Sequence, residues 1–422
     1  MGERAGRPGH RAPAVLVVGF YEDLVADLLR GHPERRVLLV EQPELVPSIG
    51  PCWRAHPRLA VREGRYVDSG DAVSVARDWA RTTSFDAVVA GREYGVVAAA
   101  TIAELLGGRG PGVAAALLAT DKLALREALA GTSLTTGRFA AAGSPADLRV
   151  FVRERAAVLK PRSRHASLGV ERIDGPHDVG TAWARALAAE SVGGVAEHRQ
   201  RWDYLVEELV EGPEYSVESL VADGQVVFSN LTQKLMAAAH FSPVGHVVPG
   251  RAVPAVVARL QDAERAFAAV AGVRDGLLHS EWIWTEAGPH LVECALRYPG
   301  GRLARLVELA HGVNLADAWA RLANGERPVA DRQPRGVVAG VQYLHGPPPG
   351  GRAALVALDG VVEVEVGAAR SDDVRGDAGP RHSLDRRGHV IVTARDHDEL
   401  DARMVAIAAC LRLPAVVSSD GR

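Results

Sequence analysis

The sequence predicts an α/β and α+β multidomain chain that begins with an N-terminal parallel α/β domain. Two observations carry this. Between Ala14 and Gly107, continuous apolar runs alternate with amphipathic stretches, the pattern of buried parallel strands joined by helices. Beyond Phe139 the apolar runs shorten and hairpin signals appear, Asp223-Gly224 above all. A length of 422 residues, with 47% hydrophobic and 24% charged residues, fits two to four ordinary globular domains. A net charge of -3 gives no reason to expect nucleic acid or an anionic membrane as partner. Cys52, Cys294 and Cys410 are far apart and odd in number, which fits reduced thiols and a cytoplasmic location better than a disulfide framework.

Taken in order, residues 1–13 are rich in Gly, Pro and Arg and predict a disordered N-terminus. Ala14–Phe20, Arg35–Gln42 and Phe85–Glu93 read as strands, with helices at Glu22–Arg30, Asp71–Arg81 and Tyr94–Gly107. The run Ala14–Phe20 is too short to span a membrane. A single glycine in VVGF, where a dinucleotide site wants three, leaves a Rossmann cofactor unsupported. Thr120–Ala130 is a helix that Thr120 or Asp121 can cap. Strands follow at Ala156–Pro161 and Tyr204–Val210, with a helix between them. After Pro347-Pro348-Pro349, AALVAL, VVEVEV and GHVIVTA read as short strands and DHDELDARMVAIAACLR as a helix. The expected boundaries are 14–119, 120–203, 204–330 and 331–422, the last a small α+β domain.

The chemistry concentrates in His279–Gly301. HSEWIW and HLVECAL read as two strands joined around Ala287, which sets Trp284 opposite His290 and Glu281 opposite Glu293. Arg297 then shares the face of Glu293, while Trp282, Trp284, Val292, Cys294 and Leu296 form the core face. Two carboxylates facing each other repel unless a cation sits between them. Mg²⁺ is commonly held by one or two carboxylates plus phosphate oxygens, and a nearby arginine suits a phosphate. A solvated strand face explains the same charges, so the hairpin alone leaves both readings open.

Elsewhere, Lys160 ends an apolar strand before Pro161 and a loop, 162–170, that holds Arg162, Ser163, Arg164, His165, Ser167 and Gly169. A lysine followed by small hydroxyl and glycine residues supplies a point charge and donors for phosphate. Lys122 lies on an earlier helix. Glu207, Glu208 and Val210 close a strand, and Glu214 follows Gly212-Pro213, a hinge able to present backbone groups to an adenine edge and a carboxylate to a ribose. Alone, each of these also fits a surface loop or an acidic turn.

In succession, DKLALRE, VLKP with SxGV, LVEELVEGPEYSVE and HSEW…LVECALRYPGG resemble the ATP-grasp superfamily, specifically its carboxylate–amine ligases of the L-amino acid ligase (bacilysin synthetase-like) type. The C-terminal segment is similar to the lid domain of those ligases. The resemblance implies an ATP-grasp fold and ATP with Mg²⁺, Mn²⁺ being a substitute. It implies a small-molecule acid and amine joined through an acyl phosphate into an amide or dipeptide, with a homodimer as candidate assembly. It also implies roles: Lys122 and Lys160 on ATP phosphates beneath a flap carrying Ser167 and Gly169, Glu207, Glu208 and Val210 beside adenine, and Glu214 on the ribose. Glu281 and Glu293 would ligate the metal, Arg297 would stabilise the acyl phosphate, Gly300 and Gly301 would admit close backbone approach, and His246 would lie near the substrate. At its furthest reach it suggests a peptide-like secondary metabolite.

Two positions depart from the family pattern. Ala295 stands where an Asn is usual two residues beyond the second metal Glu, and it cannot ligate a cation. Pro243 stands three residues before His246, where related dipeptide ligases carry a Glu associated with the free amino group of the first substrate. A non-catalytic Mg-ATP binder and another ATP-grasp carboxylase or ligase are the rival readings.

Overall fold

The computed structural model describes residues 13–67, 70–134, 137–153, 155–191, 202–236, 241–327, 335–367 and 382–413. The expected disordered N-terminus therefore lies outside the described residues, except for Pro13.

The chain opens on a parallel sheet of β1 (Ala14–Val18), β2 (Arg36–Glu41), β3 (Leu59–Glu63) and β4 (Ala87–Ala90), in the order β3-β2-β1-β4. β1 is buried along its whole length, as a central strand covered on both faces must be. Reading the sequence missed β3, because an edge strand ending in Arg62 and Glu63 lacks a long apolar run. It also missed the helix Val113–Ala119, a short apolar segment without a side-chain cap. The helix expected from Tyr94 starts at Val96 after a tight turn at Glu93–Gly95.

A second sheet holds β5 (Phe139–Ala142), β6 (Ala157–Pro161), β7 (Glu171–Ile173) and β8 (Tyr204–Glu208), all antiparallel, in the order β5-β8-β6-β7. The third and largest has eight antiparallel strands. They are β9 (Glu214–Ala222), β10 (Gln225–Met236), β11 (Pro243–Val248), β12 (Gly276–Thr285), β13 (Gly288–Ala295), β14 (Val338–Leu344), β15 (Val361–Val366) and β16 (Gly388–Ala394), ordered β13-β12-β9-β10-β11-β14-β16-β15. The C-terminal strands thus extend the sheet that carries the Glu281–Glu293 hairpin. Asp223-Gly224 makes the turn between β9 and β10. AALVAL is a correction: Gly351–Val356 is helical, and a short apolar run does not by itself distinguish helix from strand.

The hairpin differs from expectation in one informative way. Its turn is tighter, pairing Trp284 with Pro289 and Ile283 with His290, so Trp284 does not face His290. A bulge at Val292 then restores Glu281 opposite Glu293. It also swaps faces: Leu291 joins the core beside Trp282, whereas Val292, expected in the core, turns to the other side and lines a cavity. Leu278, Trp282 and Leu291 pack in one apolar cluster with Leu16 and Val88 of the parallel sheet and Ile102 of the helix Val96–Leu105 that covers it. That cluster clamps the hairpin to the N-terminal unit. Trp282 is fully buried and its Nε1 donates to Ser280 Oγ at 2.7 Å. Trp282→Ala should cost about 3–5 kcal/mol of unfolding free energy, read from denaturant titrations, because the cavity left behind cannot collapse against two sheets.

Candidate active site at the junction of two cavities

Two cavities meet at the hairpin. The larger, about 870 Å³, is lined by the N-terminal unit (Tyr21, Asp23, Glu93), the Gly300-Gly301 turn, and the C-terminal strands and loop (Tyr343, Arg386, His389). The smaller, about 90 Å³, lies between β6, β8 and the hairpin and is lined by Lys160, Glu207, Glu208, Val210, Glu214, Ile283, His290 and Val292. Six residues line both: Lys122, Arg164, Ser167, Lys234, Glu281 and Glu293. The opposed carboxylates therefore stand at the doorway between the two.

Each doorway carboxylate has cations attending it. Lys122, the first residue of a helix capped by Asp121, reaches Glu293 at 3.0 Å. Lys234 on β10 bridges Glu214 and Glu281 at 2.8 Å each. His279 lies 3.6 Å from Glu281 through Nε2 and 3.1 Å from Glu218 through Nδ1. Burial opposes ionisation of Glu281, but Lys234 and His279 hold it well below the ordinary carboxylate range. Burial likewise lowers His279, and its hydrogen bonds to Glu218 and Glu281 outweigh that, lifting it to about 9. Glu218 is fully buried and also accepts from Ser216 Oγ, Asn230 Nδ2 and Thr232 Oγ1. Sequence reading missed Lys234, His279 and Glu218; a lysine and a glutamate at inward positions of otherwise buried strands were the available signal.

In the smaller cavity Glu207 is buried with Lys160 at 2.6 Å and Arg126 at 2.7 Å. Burial would raise Glu207, yet these two cations bring it down to about 2. Its side chain thus fixes Lys160 instead of pointing at open space, and the Glu208 carboxylate is engaged by Arg155. The loop 162–170 covers this chamber. Ser167 and Gly169 both adopt positive φ, Ser167 Oγ donates to Phe241 C=O at 2.9 Å, and the Ala166 carbonyl accepts from Ser383 N–H at 3.0 Å.

In the larger cavity Arg297 pairs through Nε with Glu93 at 2.5 Å, a partner from the N-terminal unit that sequence reading did not single out. Burial would raise Glu93, but Arg297 and His165 keep it below its ordinary value. His246, on β11 beside Lys234, is buried, and burial with Arg386 and Lys234 nearby depresses it well below 6.5, so it is neutral at pH 7. A Cβ at Gly301 would come 2.4 Å from Tyr343 Oη, so that position demands glycine; at Gly300 the nearest atom is 3.8 Å away. Ala295 pairs with His279 and lines the same cavity, as does Pro243.

Among the described residues no group of three His, Cys, Asp or Glu side chains is poised to hold a metal. Glu281 and Glu293 offer two hard oxygen ligands, a set that fits a Mg²⁺ completed by phosphate and water.

Residues 154–304, which carry most of this site, match the ATP-grasp domain family. The chain contains an ATP-grasp domain. Among curated proteins, an uncharacterized protein of Sinorhizobium fredii is 25% identical over 84% of this chain and 74% of its own length. The L-arginine-specific L-amino acid ligase of Bacillus subtilis is 23% identical over 55% of this chain and 56% of its own. Among solved structures, an L-amino acid ligase from Bacillus licheniformis superposes with TM-score 0.75 at 16% identity, over 95% of this chain and 98% of that one. A carboxyaminoimidazole ribonucleotide synthetase from Thermus thermophilus gives 0.65 at 19% identity, over 96% and 99%. The whole chain, not the ATP-grasp domain alone, shares their fold. No described helix is long and apolar enough to cross a membrane.

Behind the hairpin, Glu264 accepts from Ser280 Oγ at 2.5 Å in a fully buried setting, and burial lifts it to about 7 from an ordinary 4.5. A raised carboxyl binds its proton more tightly in the folded state, so stability is full below about pH 4.5 and falls as pH rises towards 7. Glu264→Gln removes that slope. The melting temperature of the variant should gain on the parent between about pH 5 and about pH 8, measured by thermal denaturation.

Proposed function

We propose that this protein is an ATP-dependent carboxylate–amine ligase that joins an acid to an amine through an acyl phosphate. The observation that carries this reading is the doorway: a narrow chamber floored by lysines and a wide one holding an arginine share the opposed Glu281 and Glu293. A phosphoryl donor in the first and an acid in the second would meet there.

Within this reading the narrow chamber takes ATP. Lys160, fixed by Glu207, and Lys122 neutralise phosphate oxygens, with Ser167 and Gly169 in the loop above them. Glu208 and Val210 border the base, and Glu214 the ribose. Glu281 and Glu293 would hold Mg²⁺, whose contribution is to offset the charge that gathers on the transferred phosphoryl group. The acid carboxylate attacks the γ-phosphorus in line, and ADP leaves. Arg297, braced by Glu93, then stabilises the oxyanion formed when an amine attacks the acyl carbon and phosphate departs. The neutral, buried His246, or solvent, would accept the amine proton. The loop 162–170 and the C-terminal segment that hydrogen bonds to it keep water from the acyl phosphate. Formation of an amide or dipeptide specifically is supported by the two ligase relatives.

Phosphate release from Mg-ATP by the pure protein, across a matrix of acids and amines, should require one of each. Glu293→Ala should lower that rate at least about 100-fold, since one hard ligand and the anchor of Lys122 go together. Mg-ATP binding without phosphate release for any pair would favour a non-catalytic nucleotide binder, with Ala295→Asn as the change to try next.

A further inference from the structure

The larger cavity is unbalanced in charge. Three of its arginines have counter-ions, Arg92 in Glu41, Arg297 in Glu93 and Arg302 in Asp23 and Glu363. Arg386 has none: among the described residues no carboxylate lies within ion-pair distance of it. Its guanidinium stacks 3.6 Å from the centre of the Tyr343 ring, and Nη2 donates to the Pro243 carbonyl at 3.2 Å. Nη1 lies 3.3 Å from where a Cβ on Gly301 would stand, so the fork faces the turn beside the reacting centre. Nε is buried without a hydrogen-bond partner. His246 meets the same Tyr343 ring edge-on at 5.6 Å, and its Nδ1 is likewise buried and unpartnered.

A half-buried guanidinium with spare donors and, among the described residues, no counter-ion is open to an anion supplied by a ligand. Its planar fork suits a carboxylate. An ammonium finds the opposite. Glu93 and Asp23 are taken by arginines, Glu281 and Glu293, which line both cavities, are taken by Lys234 with His279 and by Lys122, and the remaining acids, Glu22 and Glu365, are exposed at the rim.

We propose that the acid activated in this cavity carries a second carboxylate, seated on Arg386 beside Tyr343 and His246, and has no free α-amino group. This rests on the ligase reading for which cavity takes the acid, and it assigns Arg386 as a specificity-determining residue. The test is calorimetric binding to the full chain saturated with Mg²⁺ and a non-hydrolysable ATP analogue. Succinate and glutarate are compared with the matched monocarboxylates and their 2-amino derivatives, in the parent, Arg386→Gln and Arg386→Lys. The dicarboxylates should bind tightest, and Arg386→Gln should weaken them about 10- to 100-fold while leaving the affinity for the ATP analogue unchanged. Arg386→Lys should recover part of the loss. Tighter binding of the 2-amino acids, or dicarboxylate binding indifferent to Arg386→Gln, would overturn the proposal. Phosphate release is followed in parallel. Dicarboxylates that bind through Arg386 yet support no release with any amine would leave the binding site standing and overturn the ligase reading instead.

Discussion

Two carboxylates facing each other across a β-ladder are the constraint on which the rest of this structure turns. Glu281 and Glu293 would repel if left alone, and the chain answers with Lys122 on one and Lys234 and His279 on the other. Those cations come from a helix start, a strand two places along the sheet and the hairpin itself. Glu218, buried under four hydrogen-bond donors, holds His279 in turn. Glu281 is thus kept ionised and both carboxylates are fixed in place, because surrounding side chains carry the compensating charge.

The same economy recurs on either side of the doorway. Glu207 clamps Lys160 and Arg126 in the narrow chamber, and Glu93 clamps Arg297 in the wide one. Lys160 and Arg297 are each held by a carboxylate little exposed to solvent and drawn from another element, so their positions depend on tertiary packing and not on their own rotamers alone. Arg297 in particular joins the ATP-grasp domain to the N-terminal unit. That unit is therefore part of the site and not only a scaffold. Arg386 is the exception, held by an aromatic face and a carbonyl and, among the described residues, by no carboxylate.

Much of this was legible in the sequence. The parallel N-terminal unit followed from unbroken apolar strands, and the pairing of Glu281 with Glu293 followed from strand periodicity across a short turn. The turn itself was misjudged by one position, and only the bulge at Val292 kept the two carboxylates in register. A bulge leaves no compositional mark when the bulged residue is an ordinary valine, which is why Val292 was assigned to the core face. Glu93, Lys234 and Arg386 were silent for a different reason. Each matters through a partner distant in the chain, and neither periodicity nor local spacing encodes such a pairing. AALVAL was misread because a short apolar run carries no period long enough to separate helix from strand.

The central claim is that phosphoryl transfer at the doorway lands on a carboxylate and not on water. The most direct measurement uses an acid labelled with oxygen-18 in its carboxyl group, under turnover with Mg-ATP and an amine, with mass analysis of the phosphate released. An acyl phosphate intermediate predicts one labelled oxygen carried into each phosphate, because the bond broken by the amine is the one between the acyl carbon and that oxygen. Unlabelled phosphate would mean that water attacked the γ-phosphorus, and the junction of the two cavities would not be the site of acyl activation.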